Sequence, residues 1–393
     1  MTGSNGATYI INKEEVEKAR KKANEIKLTY GIGVPWQLLL YVPDGEEEVV
    51  VAGVHRDFLQ LTRADRFIAR PVGFRIYPSG VQFKYPNGVK AYMALPPEGP
   101  KRVEAFRRAL KSVHLVLHNG GEWKVQVLEA HEDRGGAEKC LEERGWAACL
   151  GLAVGYTEQG AKAYWWRYLP LLTGVHTLEM SQAGTGKTMF YITLSRALNV
   201  AYMNELPSYA YLISDARDGS LGVVATADIL VIDEIDKLKV AGDWAYSSLL
   251  SGMEQGVWQR AKGKAVAVEN PISVVLQGNC GVVVTCGSKY TRGQWESVLT
   301  KLLKVNAGPL VDRLALAVNS APRIKPEFLT DEVLRPAVTR ALVKMAAQEF
   351  RVEKWVEDPR RDKQLSAIWH IYKLVHGQEL SKGDLAALWE EGP

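Results

Sequence analysis

The sequence predicts an α/β protein: a parallel sheet covered by helices, preceded by a strand-rich α+β domain and followed by a helical region. Three observations predict it. Between about Val34 and Leu128, short runs alternate apolar with polar residues and are broken by Pro and Gly, as half-buried antiparallel strands are. In the middle of the chain, continuous apolar runs such as Ile229–Ile232 alternate with helical patterns, the mark of strands buried on both faces. From Lys325 onward the spacing of aromatic and aliphatic residues is helical throughout. The expected boundaries are 1–133 for the N-terminal domain, 134–322 for an αβα core and 323–393 for a helical lid, with the charged segment His131–Gly136 as the first junction.

Taken in order, Asn12-Lys-Glu-Glu15 is a capping box that opens a charged helix running to about Lys27. Strands are expected at Leu38–Val42, Val49–Ala52, Gly73–Tyr77, Val81–Tyr85 and Val89–Met93. A helix at Arg102–Ser112 and strands near His114–Leu117 and Trp123–Leu128 complete the domain. Arg63, Arg66, Arg70, Arg75, Lys84 and Lys90, interleaved with Phe and Tyr, suit a DNA-binding or oligomerisation collar as well as a solvated sheet face.

The core begins with a strand at Gly174–Met180, a glycine-rich turn, and an amphipathic helix at Met189–Leu198. The turn reads Ser181, Gln182, Ala183, Gly184, Thr185, Gly186, Lys187, Thr188, with Met189 next. Such a loop turns successive backbone N–H groups toward a polyphosphate at a helix N-terminus. Lys187 then reaches the terminal phosphates, and Thr188 offers its hydroxyl to magnesium. Ser181 replaces the usual first glycine, so the turn must be entered without a positive φ. The run Ile229–Ile232 is followed by Asp233 and Glu234, which assigns Asp233 to magnesium through a water and Glu234 to polarising the attacking water. ATP and Mg2+ are therefore the expected cofactors.

Further on, the β-type runs around Ala261-Lys-Gly-Lys264 form a hairpin with a basic tip, in which Arg260, Lys262 and Lys264 are candidate DNA contacts. Ser273–Asn279 is an apolar strand ending in an amide that would position the hydrolytic water. Arg313, at the start of another apolar strand, is a candidate finger for a neighbouring subunit's γ-phosphate.

Composition is that of an ordinary globular protein: 47% apolar, 24% charged, and a formal charge of +4 over 393 residues. Global charge does not announce nucleic-acid binding, so any basic surface must be local. No apolar run reaches membrane-spanning length and the N-terminus carries no basic-then-apolar signal, so a cytoplasmic protein without a membrane partner is expected. Cys140, Cys149, Cys280 and Cys286 match neither a zinc pattern nor a disulfide framework, and no structural metal is expected from them.

The ordered set of motifs resembles the AAA+ ATPases, and within them the branch of the minichromosome maintenance (MCM) helicases. Asp233-Glu-Ile-Asp-Lys-Leu238 is similar to the MCM Asp-Glu-Phe-Asp-Lys-Met element, and Met253-Glu-Gln-Gly with Arg260-Ala-Lys262 resembles the segment leading into the pre-sensor-1 hairpin. Asp358–Ile368 looks like the lid helix that opens with the sensor-2 arginine; its register puts Lys363 there as a nucleotide contact, with Arg360 and Arg361 nearby. The chain also resembles the ATPase core of the Lon-related protein of BREX phage-defence systems, in Gly-Thr-Gly-Lys-Thr, Gly222–Glu234 and Val311-Asp-Arg313. This likeness covers roughly residues 140–393. Zinc cysteine pairs of the MCM kind are missing from the N-terminal region, no Lon-type protease domain follows the lid, and the segment Asp215–Ser220 is shorter than the MCM insert.

The resemblance implies a homo-oligomeric ring, usually a hexamer, that hydrolyses ATP at subunit interfaces and grips single-stranded or forked DNA with pore hairpins. A protein-remodelling or assembly ATPase, like the MoxR and magnesium-chelatase relatives, is the competing reading. A nucleotide-gated scaffold is disfavoured by Glu234 and Asn279 together.

Overall fold

In the computed structural model of the protein, residues 132–203, 246–258, 272–279, 289–319 and 323–393 are described continuously, with parts of 10–21, 51–128 and 212–237 and residues 266–267. The expected strand at Leu38–Val42 lies outside the described residues. Of the expected helix at residues 12–27, Glu17, Lys18 and Lys21 are described and are helical.

A two-residue strand, β1 (Ile10–Ile11), comes first. Then β2 (Val51–His55), β3 (Phe58–Leu61), β4 (Arg66–Ala69), β5 (Gly73–Tyr77), β6 (Gly80–Lys84), β7 (Lys90–Ala94), β8 (Val113–Asn119) and β9 (Glu122–Leu128) build one sheet, ordered β2-β3-β4-β8-β9-β7-β6-β5. Neighbours are antiparallel except β7 beside β9. Alternation does what the pattern requires: Phe67, Val81, Phe83, Tyr85 and Val116 are buried in one cluster, while Arg75, Lys90 and Lys124 stay exposed. The buried His114 bonds the Tyr85 hydroxyl through Nδ1 (2.7 Å) and the Ala109 carbonyl through Nε2 (2.7 Å). Burial lowers its pKa to about 4.

Next, α1 (Arg134–Val154), α2 (Glu158–Ala163), a 3-10 turn at Trp165–Tyr168 and α3 (Leu169–Thr173) lead into β10 (His176–Ser181). Then come α4 (Lys187–Leu194), β11 (Val200–Met203), β12 (Ile229–Ile232), α5 (Tyr246–Gln255), β13 (Val257–Trp258), β14 (Val266–Ala267) and β15 (Ser273–Asn279). The core closes with α6 (Arg292–Leu303), α7 (Gly308–Val311) and β16 (Leu314–Asn319).

Five of these strands form a parallel sheet ordered β11-β12-β15-β10-β16. Leu178, Leu230, Val274 and Leu314 face one layer with α5, α6 and α7, whereas Val231, Val275, Ala315 and Leu316 face the other with α1 and α4. Covering both faces is why β12, and β16 as far as Val318, read as unbroken apolar runs. Because β10 lies between β15 and β16, one strand in from the sheet's margin, the loop after it opens at the sheet's C-terminal edge, where strand order reverses.

The C-terminal region departs from the uniformly helical expectation. β17 (Val333–Leu334) pairs antiparallel with β1, an extended pairing that only the distant N-terminus supplies. Then α8 (Pro336–Glu349), α9 (Pro359–His376) and α10 (Lys382–Glu391) follow, sharing a core cluster with α1 and α3. Arg292 and Arg361 lie over the Trp389 ring at 3.5 and 3.9 Å, tying α10 to α6 and α9. None of the described helices is long and apolar enough to cross a membrane.

The cysteine expectation is corrected. Cys140 and Cys149 are joined in a disulfide with Cα atoms 6.1 Å apart, and both are buried. In a straight helix, residues nine apart would stand about 13 Å from each other. Between them Gly145 takes φ 76°, ψ 172°, and this break in α1 folds its two halves together. Cys280 and Cys286 lie outside the described residues. Among the described residues no group of three or more His, Cys, Asp or Glu side chains is placed to hold a metal ion.

Candidate nucleotide-binding site

The glycine-rich turn stands between β10 and α4. Ser181 is the last residue of β10 and keeps a negative φ, whereas Gly184 and Gly186 take φ of +83° and +73°. At Gly186 a Cβ would lie 2.1 Å from Cδ1 of Ile324, so conformation and space both require glycine there. Gln182, Ala183 and Gly184 form the exposed crest; Thr185 and Lys187 are buried; Thr188 and Met189 face outward at the start of α4. The segment after β16 braces the crest, with Ile324 N–H donating to the Gly184 carbonyl (3.3 Å) and Arg323 Nε to Gln182 Oε1 (3.3 Å).

Lys187 Nζ is folded back into its own loop, donating to the carbonyls of Ser181 and Gln182 (3.2 Å each) and to the hydroxyls of Ser181 (3.2 Å) and Thr185 (3.4 Å). Burial lowers its pKa, against the pull of Glu179. Beneath the loop, Glu179 accepts from Arg167 Nε (2.9 Å) and Nη2 (2.6 Å) and from Trp166 Nε1 (3.3 Å). Ser181 Oγ donates to the same carboxylate at 3.2 Å and meets Thr185 Oγ1 at 3.0 Å. The serine in place of the first glycine thus joins the loop to a buried ion pair. Burial pushes Glu179 up, but the Arg167 charge and hydrogen bonds outweigh it and hold the carboxyl below its usual range. A lone acid between the apolar Leu178 and Met180 was the signal available for this pair; its partner Arg167 is not marked by any motif.

Asp233 and Glu234 follow β12 at the same edge. Thr188 Oγ1 lies 3.2 Å from Asp233 Oδ2, and Asp233 Oδ1 accepts from the Glu234 N–H at 2.8 Å. Glu234 takes φ +53°, a left-handed value costly for a non-glycine residue, and its carboxylate pairs with Lys237. Asn279 ends β15 directly beside Ser181 in register, so the backbone brings it to the loop. A threonine hydroxyl and a carboxylate are hard oxygen donors of the kind magnesium takes beside nucleotide phosphates, so this pair fits the ion. Tyr202, absent from the sequence expectations, bonds both Thr188 and Asp233.

Not every expected site residue gathers here. Arg313 immediately precedes β16, and the register pairs Leu314 with His176 at the beginning of β10. A six-residue strand therefore separates Arg313 from the loop, about 17 Å. There it donates to the carbonyls of Leu250 (3.2 Å) and Pro309 and pairs with Glu254, which also pairs with Arg360. Lys363 precedes Gln364, whose Nε2 donates to the Asp312 carbonyl (2.9 Å), so this turn of α9 stands beside Arg313. His176 is locked neutral, accepting from Val274 N–H at Nδ1 (2.9 Å) and donating through Nε2 to the Met253 carbonyl (2.9 Å); burial lowers its pKa to about 4. The hairpin base is present as β13 against β14, anchored by the buried Trp258 on Gly252. Arg260, Lys262 and Lys264 lie outside the described residues.

Residues 133–352 match the family described as the Lon-like protease BrxL-like ATPase domain, more than half of the chain. The chain belongs to this family. This BrxL-like domain is an AAA+ ATPase, and an ATPase domain implies nucleotide binding. It is similar to uncharacterized protein ORF425 of Acidianus filamentous virus 2 (isolate Italy/Pozzuoli), 32% identical over 180 residues, 44% of this chain and 42% of that protein. Uncharacterized protein 440 of Sulfolobus islandicus rod-shaped virus 1 is 26% identical over 313 residues, covering 72% and 70%. ORF426 of Acidianus filamentous virus 1 (isolate United States/Yellowstone) is 25% identical over 240 residues, covering 55% and 54%. The BrxL-like chain thus spans less than half of the first relative and about half of the third.

Proposed function

We propose that the protein is a ring-forming, MCM-like motor that hydrolyses Mg·ATP between adjoining protomers and moves along DNA. The observation that carries this reading is the separation of its parts. Thr188, Asp233 and Glu234 stand at one edge of the sheet, while Arg313 stands at the other, beyond reach of its own loop. A guanidinium so placed completes an ATP site only if that site belongs to a neighbour, which argues for a closed ring, a hexamer by the resemblance.

In this reading the turn from Gln182 to Thr188 holds the phosphates through main-chain N–H groups and Lys187, with Met189 beside it. Lys187 must leave the loop carbonyls to do so. Thr188, and Asp233 through water, would hold magnesium, which would supply charge neutralisation on the phosphates. Glu234 accepts the proton of the attacking water, which Asn279 orients. Arg313, with Lys363 on the same edge, reaches the partner's phosphates. Residues 323–393 serve as the lid, and the sheet of residues 1–133 as a collar.

Arg260, Lys262 and Lys264 at the hairpin tip grip the DNA backbone by phosphate contacts. The test is ATP turnover with and without single-stranded, double-stranded and forked DNA. Stimulation by DNA that disappears in Lys262→Ala/Lys264→Ala supports the motor; turnover indifferent to every DNA turns the assignment toward a protein partner.

A further inference from the structure

Tyr202 is the third residue of β11, and its register opposite Val231 carries it to the edge where β12 ends in Asp233. Its ring packs against the core cluster shared by α1 and α4, and its hydroxyl emerges between two other oxygens. It lies 3.1 Å from Thr188 Oγ1 and donates to Asp233 Oδ2, while those two atoms are 3.2 Å apart. Three oxygens close a triangle. The carboxylate they share is buried, and with the Glu234 N–H on Oδ1 each of its oxygens has a hydrogen-bond partner without a cation.

A divalent cation that Thr188 and Asp233 would hold, directly or through its water, needs the same oxygen lone pairs that the phenol hydroxyl now engages. We propose that Tyr202 is an internal placeholder for the cation: its hydroxyl keeps Thr188 and Asp233 together in the cation-free protein and is displaced when the ion arrives. The inference rests on reading Thr188 and Asp233 as the cation ligands. It makes the tyrosine a competitor of the metal, acting on the reaction only through Asp233, and so a positioning residue. The cation-free site is stabilised by a hydrogen bond that the cation-bound site lacks, which weakens apparent cation affinity.

The experiment titrates Mn2+ into the full-length protein saturated with a non-hydrolysable ATP analogue, following bound Mn2+ by electron paramagnetic resonance. Tyr202→Phe keeps the ring and removes the hydroxyl. It should bind Mn2+ several-fold to about tenfold more tightly, as loss of one hydrogen bond to a charged group implies. Its melting temperature should fall in the cation-free state and match the parent once Mn2+ and nucleotide are bound. Unchanged or weaker Mn2+ affinity overturns the placeholder. Asp233→Asn separates the two ideas: if it still binds Mn2+ as the parent does, the ligand reading falls and this inference with it. If it loses Mn2+ while Tyr202→Phe is unaltered, the placeholder alone is wrong.

Discussion

Arg167 and Glu179 form a two-pronged ion pair beneath the glycine-rich loop, with both side chains almost wholly removed from solvent. The pair is also wrapped by a neutral acceptor and aromatic surface: Arg167 Nη1 donates to the Tyr156 hydroxyl at 2.7 Å, and its guanidinium lies 4.3 Å from the centre of the Tyr164 ring. It forms a rigid floor on which Ser181 and Thr185 set the position of Lys187.

Removing one partner strands the other charge in the interior. Glu179→Gln should destabilise the protein by about 3–5 kcal/mol in urea unfolding, whereas Ser181→Ala, which takes away only a hydroxyl, should cost about 1 kcal/mol. Because the folded state holds Glu179 below its usual value of 4.5, its contribution is present above that pH and is lost as the medium becomes more acidic. The Gln variant should lose this acid limb of the stability curve.

The buried imidazoles act at a higher pH. His114 and His176 are both lowered to about 4 from 6.5, so between those values the unfolded chain binds protons that the folded one refuses. Their contribution is full above pH 6.5 and declines as pH falls toward 4, by roughly 1.4 kcal/mol per pH unit for each. Chemical unfolding measured from pH 7.5 to 4 should show this slope, and flat stability across that interval would refute the neutral assignment.

The Cys140–Cys149 bridge closes the elbow at Gly145. Breaking it with Cys140→Ser/Cys149→Ser frees that elbow in the unfolded chain and should lower stability by about 2–3 kcal/mol. Thermal melting with and without reductant gives the comparison: reductant should lower the parent's midpoint and leave the double variant unmoved.

Glu234→Gln should retain ATP while turnover falls by about 100-fold or more, because the general base is gone and the phosphate cradle is not. Lys187→Ala should instead abolish nucleotide binding. Equilibrium binding of a fluorescent ATP analogue distinguishes the two variants, and undiminished hydrolysis by the Gln variant would remove Glu234 from its role.

Arg313→Ala should suppress turnover by about 10³-fold or more if the arginine serves a neighbour's ATP. Mixing it with Lys187→Ala, itself inactive, should restore part of the activity, since some seams then pair an intact loop with an intact arginine. Failure of any mixture to recover activity would argue that Arg313 does no more than hold Glu254 on α5.

The parallel core was legible because its strands are buried on both faces, and Ile229–Ile232 and Leu314–Asn319 can hardly be written otherwise. The turn Ser181–Thr188 was equally plain, since glycine at two positive φ values and a following Lys-Thr are local requirements. Strands at Phe58–Leu61 and Arg66–Ala69 were missed, being short and weakly alternating. Tyr202 and Arg167 carried no local signal at all.

By itself, then, the sequence determined what periodicity and backbone conformation impose on neighbours in the chain: the β10–loop–α4 unit, the acidic end of β12 and the strand-rich N-terminal region. Tertiary structure alone decided that Cys140 meets Cys149, that Ile10–Ile11 finds Val333–Leu334, that Arg167 lies under the loop, and that Arg313 stands an entire strand away from it. Such pairings depend on how distant segments are brought together by burial of their apolar faces, and a pattern confined to one segment holds no record of its partner.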